Sequence, residues 1–304
     1  MVQLLLAAAI YISGSREEQH TKKPFISIKK DTINKIKIAS QTDEAELIKK
    51  GGRWRLAKLE QLPVNVEKVN TAIDQLMSLK TNWSVTTTTS SHERFELSEK
   101  KFQRMITLMK DEKAMDTLIL GTSPSFKKAH VRKLDDNNVY SLALNSYDFP
   151  VNSDDWLDKG LLAVTEQTKI KGKDFTLIKI DDKWSLEGNN IIDSKLEEDK
   201  ASLLSEALAS LKVTGLAKNE IDFSSKDVII IEVSSTENRQ LRFLEKENSY
   251  YVKRDDFSQA FTLGKTDFER IAKISTSDLL VNVEDDTNIN QKSTSIETDN
   301  PIKN

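Results

Sequence analysis

One pattern occurs twice along this chain. Gly51-Gly52-Arg53-Trp54-Arg55-Leu56 leads into an amphipathic stretch that ends near Leu79. Asp181-Asp182-Lys183-Trp184-Ser185-Leu186 leads into another that ends near Leu211. After each come two apolar stretches, a Tyr-containing stretch and a Leu-Leu pair, Leu161-Leu162 and then Leu279-Leu280. The period of roughly 120–130 residues is too long for a solenoid, whose repeats run about 20–50 residues. It suits two similar domains, and 304 residues is the usual length of such a pair.

Local chemistry orders the elements within each copy. Ile36 and Ile38 alternate as in a strand. Residues 46–50 read as the next strand, with Gly51-Gly52 as a hairpin turn. Trp54 then belongs to the core. Asn65 suits a helix N-cap, and Val66, Val69, Ile73, Leu76 and Leu79 form one apolar stripe. Residues 98–110 fit a helix carrying Phe102, Ile106 and Met109, or a strand. The second copy decides for the strand, because residues 227–233 (DVIIIEV) are β-branched and read as a buried strand. Residues 106–120 and 230–244 have the same spacing, which supports matching them. Residues 129–134 and 139–144 flank a turn at Asp135-Asp136-Asn137-Asn138. Ser153 is expected to cap a short helix through Trp156 and Lys159 that stops at Gly160.

In the second copy, residues 169–180 read as a strand pair around Gly172. Ser194 with Glu197 forms a capping box for a helix with Leu196, Leu203, Leu204, Leu208 and Leu211 inward. Residues 249–253 and 259–263 read as strands, and 267–274 as a short helix. The expected class is α+β. It comprises two tandem, internally duplicated domains of mostly antiparallel strands, with one main helix and one short helix each. The divisions are a hydrophobic anchor or signal-like segment at 1–14, a polar tether at 15–23, domains at 24–163 and 164–283, and a polar disordered tail at 284–304.

Residues 2–12 (VQLLLAAAIYI) are strongly apolar. A helix of that length covers about 17 Å of a hydrocarbon core about 30 Å thick. The run resembles a signal-peptide core without a basic leader. It reads as part of a longer span beginning before Met1, as a short anchor, or as a buried core element.

Composition narrows the chemistry. A formal net charge of −3 argues against a nucleic-acid partner. The absence of Cys excludes disulfides, thiolate metal sites and Cys nucleophiles. His20, His92 and His130 lack metal-ligand spacing. The acidic pairs at Asp135-Asp136, Asp154-Asp155, Asp181-Asp182, Asp255-Asp256 and Asp285-Asp286 sit at expected turns, helix starts or the tail. No phosphate loop, dinucleotide fingerprint or nucleophile elbow occurs. No catalytic, cofactor-binding or metal-binding residue is therefore assigned, and no cofactor is expected.

The Trp54-x-Leu56 hairpin is followed by Phe95-Glu96-Leu97, then Leu120-Gly121-Thr122-Ser123-Pro124, Val139-Tyr140 and Trp156-Leu157-x-Lys159-x-Leu161-Leu162. In this order, over residues 24–283, the chain resembles the bacterial domain-of-unknown-function 4340 family. The resemblance implies a membrane-anchored extracytoplasmic protein associated with ABC-transporter components of the gliding-motility type, and it supplies no catalytic residues. Phe95-Glu96-Leu97 departs from the Tyr-Gly-Leu that members often carry, and the N-terminus is shorter than a full anchor. The resulting expectation is a non-catalytic accessory subunit, anchored in the inner membrane through its N-terminus with periplasmic domains. Its partners would be transporter permease or ATPase subunits or other envelope proteins. One alternative is a ligand- or glycan-binding module with a cleft between the domains, lined by aromatics such as Trp83, Trp156 or Tyr147. Another is a hydrolase using paired carboxylates.

Overall fold

The computed structural model describes residues 23–81, 83–188 and 195–281. Expectations placed on residues 1–22, on Ser194 and on 284–304 lie outside the described residues. The chain divides into two compact units, Met1–Asp158 and Lys159–Asn304. All strand pairings within the sheets are antiparallel, so the class is α+β with a large β share.

In the first unit, β1 (Lys35–Ala39), β2 (Glu44–Lys50) and β3 (Arg53–Leu56) precede α1 (Val66–Met77) and α2 (Ser91–Arg94). A small hairpin follows, β4 (Leu97–Ser98) with β5 (Lys101–Phe102). Then come β6 (Arg104–Lys110), β7 (Lys113–Leu120), β8 (Ala129–Lys133) and β9 (Tyr140–Leu142). The seven-stranded sheet runs β3-β2-β1-β6-β7-β8-β9. Gly51 and Gly52 turn β2 into β3 with φ of +57° and +79°, the left-handed pair a tight hairpin requires. The Asn65 side chain caps α1 by accepting from Lys68 N at 2.9 Å. Val69, Ala72, Ile73 and Leu76 of that helix are buried, whereas Val66, its first residue, is half exposed.

Register places Ile36, Ile38, Leu47, Leu56, Ile106, Leu108 and Leu118 on one face of this sheet, all buried. The opposite face carries Lys35, whose Nζ lies 2.7 Å from Glu46 and 3.0 Å from Glu112. Toward β8 that opposite face acquires a core of its own. Leu97, Ile119 and Val139 are buried there, with Phe95, Phe102 and Met105 packed against them. Four successive β8 residues, 129–132, are consequently buried, which requires cover on both faces.

The second unit contains β10 (Lys169–Lys171), β11 (Thr176–Ile180), β12 (Lys183–Leu186), α3 (Glu198–Ala209) and β13 (Val213–Leu216). It continues with β14 (Ile229–Ser234), β15 (Asn238–Lys246), β16 (Ser249–Arg254), β17 (Phe261–Leu263), α4 (Lys265–Ala272) and α5 (Thr276–Leu279). Its sheet runs β12-β11-β10-β14-β15-β16-β17-β13, so seven strands follow the succession seen in the first unit and β13 is added at the edge. Ile170, Leu177, Ile231, Val233, Leu241, Phe243, Val252 and Phe261 form its core.

Several expectations are corrected. Ile36 pairs with Leu108 and Ile170 with Val233, so Ile106 corresponds in its sheet to Ile231, not to Ile230. A bulge between Leu108 and Met109 adds a residue that equal spacing conceals, and a one-residue slip reverses the face of every side chain. Ile230 is accordingly 41% exposed, and the run that reads as wholly buried is buried on one face. Near Trp156 the chain makes a 3₁₀ turn, Ser153–Asp155, capped by Asn152 rather than Ser153. It leaves at once for an antiparallel bridge between Val64 and Leu157, so no helix reaches Lys159. The short helix of the first unit is α2 instead, and the second unit has two, α4 and α5. Leu196 likewise bridges Leu280 and stands outside α3, which begins at Glu198 with no side-chain cap. Leu203 is 62% exposed rather than inward. No helix among the described residues is long and apolar enough to cross a membrane.

Candidate functional site

The sequence elements singled out in the first unit meet around Gly121. A Cβ there would stand 1.9 Å from Phe95 O and 2.6 Å from Glu96 O, so only a bare α-carbon admits the Phe95-Glu96 backbone. Thr122 N donates to Phe95 O, Gly121 N to His130 O, and His130 N to Thr122 O, each at 2.9 Å. The His130 ring packs on Phe95 with centroids 4.3 Å apart, and its Nδ1 lies 2.9 Å from Thr122 Oγ1. Burial holds this imidazole below its ordinary pKa. The Thr122 contact opposes that shift, and the charge of Arg94 adds to it. Arg132, also buried, donates from Nε to Leu97 O at 2.6 Å and from Nη1 to Lys133 O and Leu134 O at 2.8 Å. Glu96 sits at φ +56°, in the left-handed region that favours glycine, with Gln103 Nε2 on its carboxylate at 3.2 Å. These groups build the second core of the first sheet, and their polar atoms are turned toward one another.

The polar run 86–91 is tied to the same region. Thr86, Thr88 and Ser91 hydroxyls lie within 2.7–3.1 Å of one another, and Val139 N donates to Thr86 O. Their hydrogen bonds close the turn that starts α2.

Burial separates the three aromatics named for a ligand groove. Trp156 is fully buried and its indole N–H donates to Pro150 O at 2.8 Å, so it lines no open surface. Trp83 and Tyr147 are 76% and 83% exposed. His92 is buried, with Nε2 3.1 Å from Asn137 O. The described acidic pairs serve local structure. Asp136 accepts from Asn138 N at 3.0 Å, and Asp181 and Asp182 hold a turn at φ +46° and +62°. Asp256 pairs with Arg254 at 2.6 Å; burial works against its charge, yet the guanidinium holds its carboxyl below the usual range. Among the described residues no three potential metal ligands cluster.

Each long helix borders a groove, and the two grooves differ. Beside α1 the lining is polar, with Lys68, Asp74, Gln75, Tyr147 and Asp148, and Gln75 donates to Asp148 at 3.0 Å. Beside α3 lies a cavity of about 750 Å³ floored by Leu204, Ala207, Ile274 and Leu279, with Leu203 on its rim. The surrounding charges are mostly paired: Lys200 with Glu197 at 2.8 Å, Arg270 with Asp267 at 3.2 Å, and Asp278 with the start of α5. Among the described residues Glu206 makes no ion pair. Sequence periodicity missed this groove because it counted Leu203 as inward.

A model of the family described as Domain of unknown function (DUF4340) matches residues 54–227. No curated protein and no solved structure matches the chain.

Proposed function

We propose that this chain, which belongs to the family described as Domain of unknown function (DUF4340), is a non-catalytic accessory subunit of an envelope ABC transporter. In this reading it is anchored through its N-terminus, with its folded units outside the cytoplasm. The groove beside α3 carries the proposal. Its apolar floor, the 62% exposed Leu203 and the carboxylate of Glu206, which makes no ion pair among the described residues, suit an apolar partner segment bearing a cation. The motif residues around Gly121 support it from the other side, since they are engaged in packing and in hydrogen bonds to one another.

The test is affinity recovery of the full-length protein from detergent-solubilised membranes, beside L203E. Stoichiometric permease and ATPase subunits with the wild type, lost with L203E, are expected. Recovery of a partner-free protein from the soluble fraction overturns the reading.

We further read the shared strand succession, and the two bridges Val64–Leu157 and Leu196–Leu280 that close the units, as an internal duplication. Superposing β1, β2, β3 and β6 on β10, β11, β12 and β14 tests it. If α1 and α3 then fail to coincide, the duplication is wrong.

A further inference from the structure

The Leu-Gly-Thr-Ser-Pro element ends in a feature that the packing around Gly121 does not use. Residues 123–128 (SPSFKK) are all exposed. At their tip Phe126 is 87% exposed, the highest value among the exposed large apolar side chains described. The tip is built, not loose. Ser125 and Lys128 form an antiparallel bridge, and Lys128 N donates to Ser125 O at 3.1 Å. Ser123 Oγ lies 2.8 Å from Ser125 O and 2.7 Å from Lys128 O, sharing its proton between them. Lys127 holds φ +55°, and its ammonium sits 5.3 Å from the Phe126 ring centroid. Residues 121–134 contain no Asp or Glu; of their cations Lys127 and Lys128 are exposed at the tip, whereas Arg132 is buried and Lys133 pairs with Asp116 at 2.6 Å.

We infer that this hairpin is a membrane-surface contact, which inserts Phe126 at the headgroup–acyl boundary of an anionic bilayer while Lys127 and Lys128 meet lipid phosphates. An aromatic ring flanked by flexible cations suits that boundary, because the ring leaves water while the ammonium groups stay in the headgroup layer. A protein hot spot is usually ringed by near-neutral contacts that exclude water. Phe126 instead has only exposed Ser, Pro and Lys beside it in the tip, a shape that a fluid surface accepts without a matching socket. The fixed turn lowers the ordering cost of insertion. This contact is independent of the transporter reading, and either can fail alone.

The chain lacks Cys, so F126C in this 304-residue chain gives a single labelling site for an environment-sensitive fluorophore; K50C serves as a control. The probe is vesicles of phosphatidylcholine containing roughly a third phosphatidylglycerol, with a spin-labelled acyl-chain quencher. We expect a blue shift and quenching at position 126 and none at 50. The tip signal should be at least about tenfold weaker in F126C/K127E/K128E and on pure phosphatidylcholine. Vesicle flotation of the protein without a fluorescence change at position 126 overturns the inference, because another segment then does the binding. A signal that needs partner-containing membranes and is absent on lipid alone also overturns it, and assigns the tip to a protein socket.

Discussion

The two sheets share a strand succession but differ in how fully their outer faces are covered. The first is packed on both faces near β7 and β8, where the β4–β5 hairpin lays Leu97 and Phe102 over Ile119. The outer face of the second is covered only in part: Leu244 is buried there and residues 220–224 lie beside Arg242 and Lys253. The corresponding connection, residues 217–228, forms no strand, and Ile230 and Ile180 remain 41% and 54% exposed. Burial along the strands records the difference, with an unbroken run in β8 and alternation in β14. Apolar sequence is therefore a poor guide to cover in this chain. The three isoleucines of β14 lie where the outer face is only partly covered, while β8, with a histidine and an arginine, is buried at four of its five positions. What decides is whether an additional element crosses the outer face.

Substitutions can break that contrast. The largest effect belongs to Leu97→Ala, which empties a fully buried position of the hairpin itself. It should cost about 3–4 kcal/mol, and hydrogen exchange should rise in the first unit while the second stays protected. Gly121→Ala should cost about 3 kcal/mol, because its Cβ meets backbone carbonyls that no rotamer change can move. Gly264→Ala, with nothing within 4 Å, should fall below about 1 kcal/mol in the same urea titration.

Glu96→Gly sharpens the contrast in the other direction. It relieves a left-handed φ and forfeits the Gln103 and Lys101 contacts, for a net gain of about 0.5 kcal/mol by thermal unfolding. His130 adds a pH dependence to the first unit. Its folded pKa lies below the ordinary 6.5, so the unfolded chain binds the proton more readily. Stability is full above 6.5 and declines as pH falls through 6.5 toward the folded value. His130→Gln should flatten that decline in urea unfolding measured across this range. The smallest effect is expected for Ile230→Thr on the open face, within about 0.5 kcal/mol. A cost as large as that of Leu97→Ala would mean that this face is covered.

Much of the fold was legible because its signals are local. Gly51-Gly52 and Asp181-Asp182 announce hairpins, Asn65 announces the start of α1, and Trp54 and Trp184 are buried as their spacing implies. Register was not legible, because the bulge at Leu108/Met109 lets two hairpins of equal apparent spacing present opposite faces. The groove beside α3 was hidden for a related reason: helical periodicity marks Leu203 as apolar but cannot say that nothing packs over it. Trp156 gave no sign of being enclosed, since part of its cover comes from Lys68, distant in sequence. The motif at Gly121 was visible as a string of residues, but its meaning as a clearance for the Phe95-Glu96 backbone needed coordinates.

The bridges that close the units bear on how the protein is made. Asn65 N donates to Trp156 O and Asp158 N to Pro63 O, so the last residues of the first unit complete the backbone ahead of α1. Glu197 N donates to Leu279 O and Val281 N to Lys195 O, which does the same ahead of α3. A chain emerging N-terminus first can finish its first unit before the closing segment of the second has been synthesised, but not before residue 157 has appeared. Until then the start of α1 lacks its partner, and a ribosome that pauses earlier in this stretch holds an unfinished sheet open to quality control.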